Sequence, residues 1–374
     1  MSPLVLESLH PNELSFESKA SGLPFVVRAN TSPGTTRAHV MAYFREHAEP
    51  VRQLVRRNGV ILLRGLPIET PQDLQDALEA LGYNLYTTNY GGASPRANIT
   101  QKTFESTAAP APFIIGFHTE FCYQSTRPGM IAFFCMQPAR RYGETPLFDC
   151  SLVWESLSPA LRDMLETRGL LYRRYFYNRR SALNFRKTWS EAFQTTNRDE
   201  VEAYLDSEGM RYQWESNGNL ATELRLPAMV VDPVHRKKRL SITLFNADSF
   251  RYMFRHFRDR YHPIQRAALE LFVRWEYAKK NTFLQVLWGN GQAFSREETE
   301  EIQRAAWENA IAFPWQPRDL LLIDNVCFGH SRLNVENPRR VIAAMADPYD
   351  VRAYRAAGDS AAEQMAMGCG ASVC

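Results

Sequence analysis

Two apolar runs, far apart in the chain and each leading to a histidine, constrain the fold more than anything else in this sequence. Phe113-Ile114-Ile115-Gly116-Phe117 reads as a strand that delivers His118-Thr119-Glu120. Leu320-Leu321-Leu322-Ile323 reads as a second strand, and His330 follows it, roughly two hundred residues after His118. On a strand, residues i and i+2 share a face. An imidazole and a carboxylate can then grip one ion from the same side. A remote histidine closes that set only in a fold that brings a late strand beside an early one. A solitary H-x-E triplet is also what ordinary satisfied polar residues look like, so the context at both ends carries the reading.

The rest of the chain supplies such a fold. Residues 36–57 read as an amphipathic helix, and Gly59 introduces a short buried strand, Val60 to Arg64. Thr70, Pro71 and Asp73 open a helix that runs to about Leu81. From 113 to 150 the pattern is strand, turn, strand (Met130 to Met136), turn (Arg140 to Glu144), short strand. Helix is expected over 151–168, 184–209 and 249–280, and from the capping pair Ser295 and Glu298 to about Ile311. Strands are expected at Leu170 to Tyr177, in several short pieces between Arg211 and Asn246, and at 282–287, 319–324 and 339–346. Short strands across the whole length, with helices outside them, predict a mainly β, α+β protein. Its core would be a double-stranded β-helix, or jelly roll, with helical insertions. One domain over 1–355 is expected. Residues 84–112 and 151–281 would be lid and insert regions, and 356–374 a flexible tail.

Bulk properties remove several classes of function. A net charge of +3 argues for neither nucleic acid nor a membrane surface. No apolar run approaches the roughly 18 residues of a membrane span. The first residues show no basic segment followed by an apolar one, so a cytoplasmic location is expected. The six cysteines (Cys122, Cys135, Cys150, Cys327, Cys369 and Cys374) show no C-x-x-C pair and no zinc-ribbon spacing. They read as reduced thiols. Cys122 and Cys327, each within a few residues of the histidine positions, read as packed apolar neighbours, with a direct metal role as the alternative.

Four constellations can carry chemistry. Two imidazoles and a carboxylate on one face of an octahedron leave positions open, which suits Fe(II) that must also bind a co-substrate and O2. Zinc accepts the same three ligands. Asp324-Asn325, just before His330, could fix the loop that carries it. Arg339 and Arg340 follow His330 at a distance that lets the returning strand place a guanidinium in the same barrel. There it could bind an organic diacid bidentately. In Gly143-Glu144-Thr145-Pro146, the threonine hydroxyl could reach the same diacid. The run His235-Arg236-Lys237-Lys238-Arg239 reads as a hairpin tip, or as a docking patch for an acidic partner. Asn98-Ile99-Thr100 is a glycosylation sequon without a secretory context.

Several stretches resemble the TauD/TfdA family of Fe(II)- and 2-oxoglutarate-dependent oxygenases, and within it the syringomycin-biosynthesis-type hydroxylases. They are GVILLRG (59–65), GFHTEFCY (116–123), YGETPLFD (142–149), LFNADSF (244–250), WGNGQAF (288–294) and FPWQPRDLLLIDNVCFGHSRLNVENPRRVIAAMADP (313–348). The similarity spans about residues 35–350. It implies His118, Glu120 and His330 as iron ligands. It also implies Thr145 and Arg340 as holders of the far carboxylate of 2-oxoglutarate, with Arg339 as the substitute. Glu120 argues against halogenation, because related halogenases carry a small residue there. Taurine-type members carry a sulfonate-binding arginine four positions beyond the co-substrate arginine. Here that position is Ala344, which argues against a sulfonate.

The resemblance implies hydroxylation of an unactivated C–H bond in an amino acid or amino-acid-derived intermediate, free or held on a carrier protein, in natural-product assembly. Desaturation or ring closure would follow from the same oxidant. Asn246 and Arg332 are candidate substrate contacts in a pocket lined by 84–112 and by Phe245-Asn246. The rivals from other classes are a zinc hydrolase and a non-catalytic jelly-roll binding protein.

Overall fold

A computed structural model describes residues 5–8, 13–15, 25–28, 35–88, 90–92, 98–107, 109–180, 187–279 and 281–354. The tail expected over 356–374, with Cys369 and Cys374, lies outside them. The two apolar runs do not pair with each other: Leu320–Asp324 lies in a different sheet, and it is the short strand after it, containing His330, that reaches the first run. The strand Ile115–His118 pairs antiparallel with Phe328–Arg332, placing His118 directly opposite His330. These two belong to a four-stranded sheet in the order Ala310–Ile311, Leu147–Asp149, Phe328–Arg332, Ile115–His118.

Against it lies a seven-stranded sheet, ordered Val5–Ser8, Phe25–Arg28, Val60–Arg64, Leu320–Asp324, Thr126–Gln137, Arg340–Asp350, Phe104–Glu105. Its pairings are antiparallel except the parallel one between Phe25–Arg28 and Val60–Arg64. Strands distant in sequence are thus neighbours in space, as the jelly-roll expectation required.

Alternation along Arg340–Asp350 divides the two sides of the large sheet. Val341, Ala343 and Met345 face a core shared with Phe117, Phe148 and Phe133 between the sheets. Ile342, Ala344 and Ala346 face a second core, under the helices Arg37–Glu46, Ala48–Asn58 and Pro71–Ala80. Both cores exclude water almost completely, which is the main favourable term for a chain of this size. A buried ion pair ties two strands of the large sheet together. Arg64 donates through Nε and Nη2 to Asp319 at 2.9 and 3.1 Å. This pair accounts for the arginine of GVILLRG and the aspartate of W-x-P-x-D. A third sheet joins Arg211–Trp214, Leu220–Leu226 and Leu170–Phe176 from the 151–281 insert to the later strand Leu284–Trp288.

The helices are shorter than their periodic patterns. The 36–57 helix breaks at His47 into Arg37–Glu46 and Ala48–Asn58. The expected helix over 249–280 becomes Ala247–His256, a 3-10 turn at Arg258–Arg260, and Pro263–Tyr277. Pro263 supplies the reason: it cannot donate inside a helix, so it starts a new one. The same logic divides 151–168 at Ser158-Pro159, where the Ser158 hydroxyl caps Leu161. The capping boxes at Thr70 with Asp73 and at Ser295 with Glu298 form as expected. Among the described residues no helix is long and apolar enough to cross a membrane.

Candidate active site

His118 ends its strand, and Glu120 lies past it in a turn. The expectation that both sit on one strand is therefore corrected. Phe121 takes a left-handed φ of 58°, which turns the chain back and aims the Glu120 carboxylate beside the imidazoles. Asn325 holds that turn from both sides. Its Oδ1 accepts from Glu120 N–H at 2.7 Å. Its Nδ2 donates to the carbonyls of Glu120 and Pro128 at 3.1 and 2.8 Å. Asn325 thus ties the Glu120 turn to the loop before His330. Asp324 is the residue that shapes the loop before His330, accepting from Val326 and Cys327 N–H at 2.9 and 3.1 Å.

His118, Glu120 and His330 each present a ligand atom within 4.8 Å of the others. His330 Nε2 lies 3.6 Å from Glu120 Oε2. Ligand atoms about 2.1 Å from an ion sit roughly 3 Å apart when adjacent on an octahedron, so a small inward adjustment closes the set. His118 Nδ1 donates to Gly116 O at 2.9 Å. A carbonyl can only accept, so the proton sits on Nδ1 and Nε2 offers its lone pair toward the cleft. The His330 ring stands edge-on to Phe133, with centroids 5.0 Å apart. The donor set and the fixed tautomer fit a divalent iron ion with open positions.

These three side chains line a cleft whose walls include Phe121, Tyr123, Phe133 and Phe245. Thr145 and Arg339 line it too. Arg339 donates through Nη2 to Thr145 Oγ1 at 3.3 Å and through Nε to Gly143 O at 2.8 Å. Trp315, which sequence reasoning did not single out, donates to the same Thr145 hydroxyl at 3.2 Å. Among the described residues no carboxylate pairs with Arg339. Burial pulls its guanidinium down to about 10, which leaves it protonated at neutral pH and ready for an anion.

Arg340 is the contrary case. It is exposed and its Nε donates to Glu105 at 3.3 Å. The preference for Arg340 over Arg339 is therefore corrected, and strand alternation is the reason. Arg339 has the inward parity of Val341 and Ala343, and Arg340 the outward parity of Ile342 and Ala344. Ala344 accordingly faces the helices and not the cleft. Counting four from Arg339 reaches Ala343, which faces inward and is again uncharged.

The two candidate substrate contacts separate. Arg332 lines the cleft. Its guanidinium donates to the carbonyls of Ala109, Pro110 and Phe113 at 2.8, 2.9 and 2.5 Å, which pins that segment against the cleft wall. Burial, with Arg339 nearby, lowers it to about 10. Asn246 does not line the cleft. It caps the helix Ala247–His256, accepting from Ser249 N–H at 2.7 Å, and donates to Thr299. Its neighbour Phe245 is in the wall, as are Ser106 and Thr107 of the 84–112 segment.

Asp232, His235 and Cys327 also cluster closely enough for a metal. The place of a cation there is already taken by Arg239, which donates to Asp232 at 2.9 Å and to Asp149 at 2.7 Å. Lys238 pairs with Glu166 at 2.6 Å. The 235–239 run is therefore a hairpin tip whose charges are partly spent inside the protein. Cys122, Cys135, Cys150 and Cys327 are buried free thiols. Burial pushes Cys122 and Cys135 up to about 12, as packed apolar neighbours should be.

The chain matches the family described as taurine catabolism dioxygenase TauD, TfdA over residues 29–345. It belongs to that family, and is a dioxygenase dependent on Fe(II) and 2-oxoglutarate. It is 28% identical over 333 residues to the dapdiamide synthesis protein DdaC of Enterobacter agglomerans, covering 88% of this chain and 93% of that one. It is 25% identical over 351 residues to a clavaminate synthase-like protein of Arabidopsis thaliana, covering 91% and 98%. Among solved structures, PvcB from Pseudomonas aeruginosa is 13% identical with a TM-score of 0.46, over 86% of this chain and 84% of that one. Family membership sets aside the zinc-hydrolase and non-catalytic alternatives.

Proposed function

We propose that His118, Glu120 and His330 hold the iron and that Thr145 and Arg339 hold the far carboxylate of 2-oxoglutarate. The enzyme would then hydroxylate an unactivated C–H bond of an amino acid or amino-acid-derived intermediate in natural-product biosynthesis. The observation that carries this is the shared cleft: three ligand atoms within 4.8 Å of one another, with a protonated arginine and a hydroxyl in the same wall. Similarity to DdaC, a dapdiamide synthesis protein, supports the biosynthetic setting.

When bound, iron with 2-oxoglutarate and O2 supplies an oxidant able to take hydrogen from a C–H bond, the co-substrate leaving as succinate and CO2. The protein's own residues do the rest. Gly116 O keeps the His118 proton on Nδ1. Asn325 holds Glu120 in place as the third ligand, which leaves no gap for a halide. Arg339 neutralises the diacid and fixes its orientation. Phe121, Phe133 and Phe245 keep water from the reacting carbon. If the substrate is tethered to a carrier protein, the exposed His235, Arg236 and Lys237 are the part of the basic run left to meet it, since Arg239 is buried and Lys238 is paired with Glu166.

The test is an anaerobic titration of metal-free protein with Fe(II) and 2-oxoglutarate, following the weak visible charge-transfer band of the chelate. The parent should show the band, and His330→Ala should lose it while keeping the parent's far-UV spectrum. A well-folded parent with no band would overturn the assignment.

A further inference from the structure

The helix Pro263–Tyr277 shows water an apolar stripe that its packing does not explain. Ile264, Leu271 and Trp275 are 75%, 68% and 47% exposed. Of the large hydrophobic side chains exposed among the described residues, only Val234 lies elsewhere. Ala267 and Ala268 are exposed between them. The opposite side of the helix is in use: Val273 and Glu276 are buried, and Tyr277 packs on Phe250.

Ile264, Ala268, Leu271 and Trp275 follow the four-three-four spacing of a coiled-coil seam. The order of sizes along the seam has a symmetry. If a second copy of this helix lies antiparallel, with the two-fold axis between Leu269 and Glu270, Ile264 meets Trp275 and Ala268 meets Leu271. Each large side chain at the centre then faces a small one. The same patch serves both partners, as a two-fold interface requires.

Charge at the seam selects the same partner. The exposed positions beside it include Gln265, Ala267 and Arg274, Lys279 lies over the Trp275 ring with Nζ 3.5 Å from its centroid, and antiparallel pairing sets Arg274 against Ala267. Arg266 is satisfied by Glu270 of its own helix at 3.6 Å, and Lys279 by Glu276 at 2.6 Å. An acidic partner helix or an anionic membrane would call for several unpaired basic residues here.

We propose that this face is a homodimer interface in which Pro263–Tyr277 pairs antiparallel with its copy. The interface is linked to the cleft wall. Phe272 of the same helix packs edge-on against Phe113, with centroids 5.6 Å apart, and Phe113 O is one of the carbonyls held by Arg332. Dimerisation would therefore brace the segment that Arg332 of the cleft wall holds. This inference does not depend on the assignment of iron and co-substrate residues.

Two helices bury less than a standard interface, so the dimer should be a modest one. Sedimentation of the full chain from about 1 to 100 µM should show a reversible monomer–dimer equilibrium. The double variant L271E/W275E should stay monomeric across that range with an unchanged circular dichroism spectrum. Mixing Ala268→Cys with Leu271→Cys chains under mild oxidation should give a crosslinked heterodimer, at least tenfold more than Gln265→Cys mixed with Arg274→Cys. A parent that is monomeric at 100 µM overturns the proposal, whether or not it binds an acidic carrier protein through this face. A dimer that survives L271E/W275E, or crosslinks that ignore the 268–271 pairing, overturns it too.

Discussion

Arg339 donates to the Thr145 hydroxyl at 3.3 Å inside the cleft, while the next residue, Arg340, turns away to Glu105. Two adjacent arginines, identical in charge, therefore predict opposite phenotypes. Arg339→Ala should weaken 2-oxoglutarate binding on the order of 100-fold, because it removes a charge-assisted contact to a buried carboxylate. Arg340→Ala should leave it within about twofold, since an exposed ion pair contributes little. Anaerobic titration of each variant with the co-substrate decides between them. The reverse pattern would return the role to Arg340.

Asn325 makes a second separable prediction. It touches Glu120 only through the backbone, on both its N–H and C=O. Removing it should let the carboxylate wander without deleting any ligand. Asn325→Ala should lower Fe(II) affinity by about 10- to 100-fold. It should also cost roughly 1–3 kcal/mol of stability, because a buried N–H and two carbonyls lose their partner. Iron affinity measured well below the variant's melting temperature separates the two effects. An unchanged affinity would mean that the Glu120 turn holds itself.

Asn246 should behave as structure and not as a substrate contact. As the N-cap of Ala247–His256 it accepts from Ser249 N–H. Asn246→Ala should cost about 1 kcal/mol, read as a lower denaturation midpoint at unchanged slope. Asn246→Asp keeps the cap and should restore the midpoint. A substrate KM that rises more than a few-fold in Asn246→Asp would overturn this reading.

The legible part of the molecule was the part that depends on local pattern. The strand behind His118 and the strand Leu320–Asp324 are apolar runs bounded by polar turns, and the capping boxes at Thr70 and Ser295 are written in three or four residues. The short strand Phe328–Arg332 that carries His330 has no such pattern. The choice between Arg339 and Arg340 was not legible. It turns on strand parity, and Val341 to Ala346 is apolar on both faces because each face meets a core. Parity has no visible sign in such a run. The role of Asn325 was hidden for a different reason: its partner Glu120 lies 205 residues away. Trp315 could have been found, since it stands in the same W-x-P-x-D stretch as Asp319. The long helix expected over 249–280 ignored Pro263, a local signal that should have outweighed periodicity.

Asp324 gives the protein a pH dependence whose sign is set by its surroundings. Burial raises its carboxyl from 3.8 to about 6, outweighing the Val326 and Cys327 N–H groups that favour the charged form. The folded state therefore holds this proton more tightly than the unfolded chain does. The resulting stability is complete below the unfolded value near 3.8 and is lost as pH rises through about 6. Above that, the folded protein carries a buried carboxylate at a constant penalty. A rise of this size corresponds to about 3 kcal/mol, and relaxation around the group reduces it to roughly half. Asp324→Asn keeps the Oδ1 acceptor for both N–H groups and removes the charge. It should raise stability at pH 8 by about 1–2 kcal/mol and at pH 5 by roughly half as much, because the unfolded carboxyl is already mostly ionised there. Chemical denaturation at the two pH values measures this directly. Equal gains at both, or a loss at pH 8, would show that the Asp324 charge is compensated in the fold.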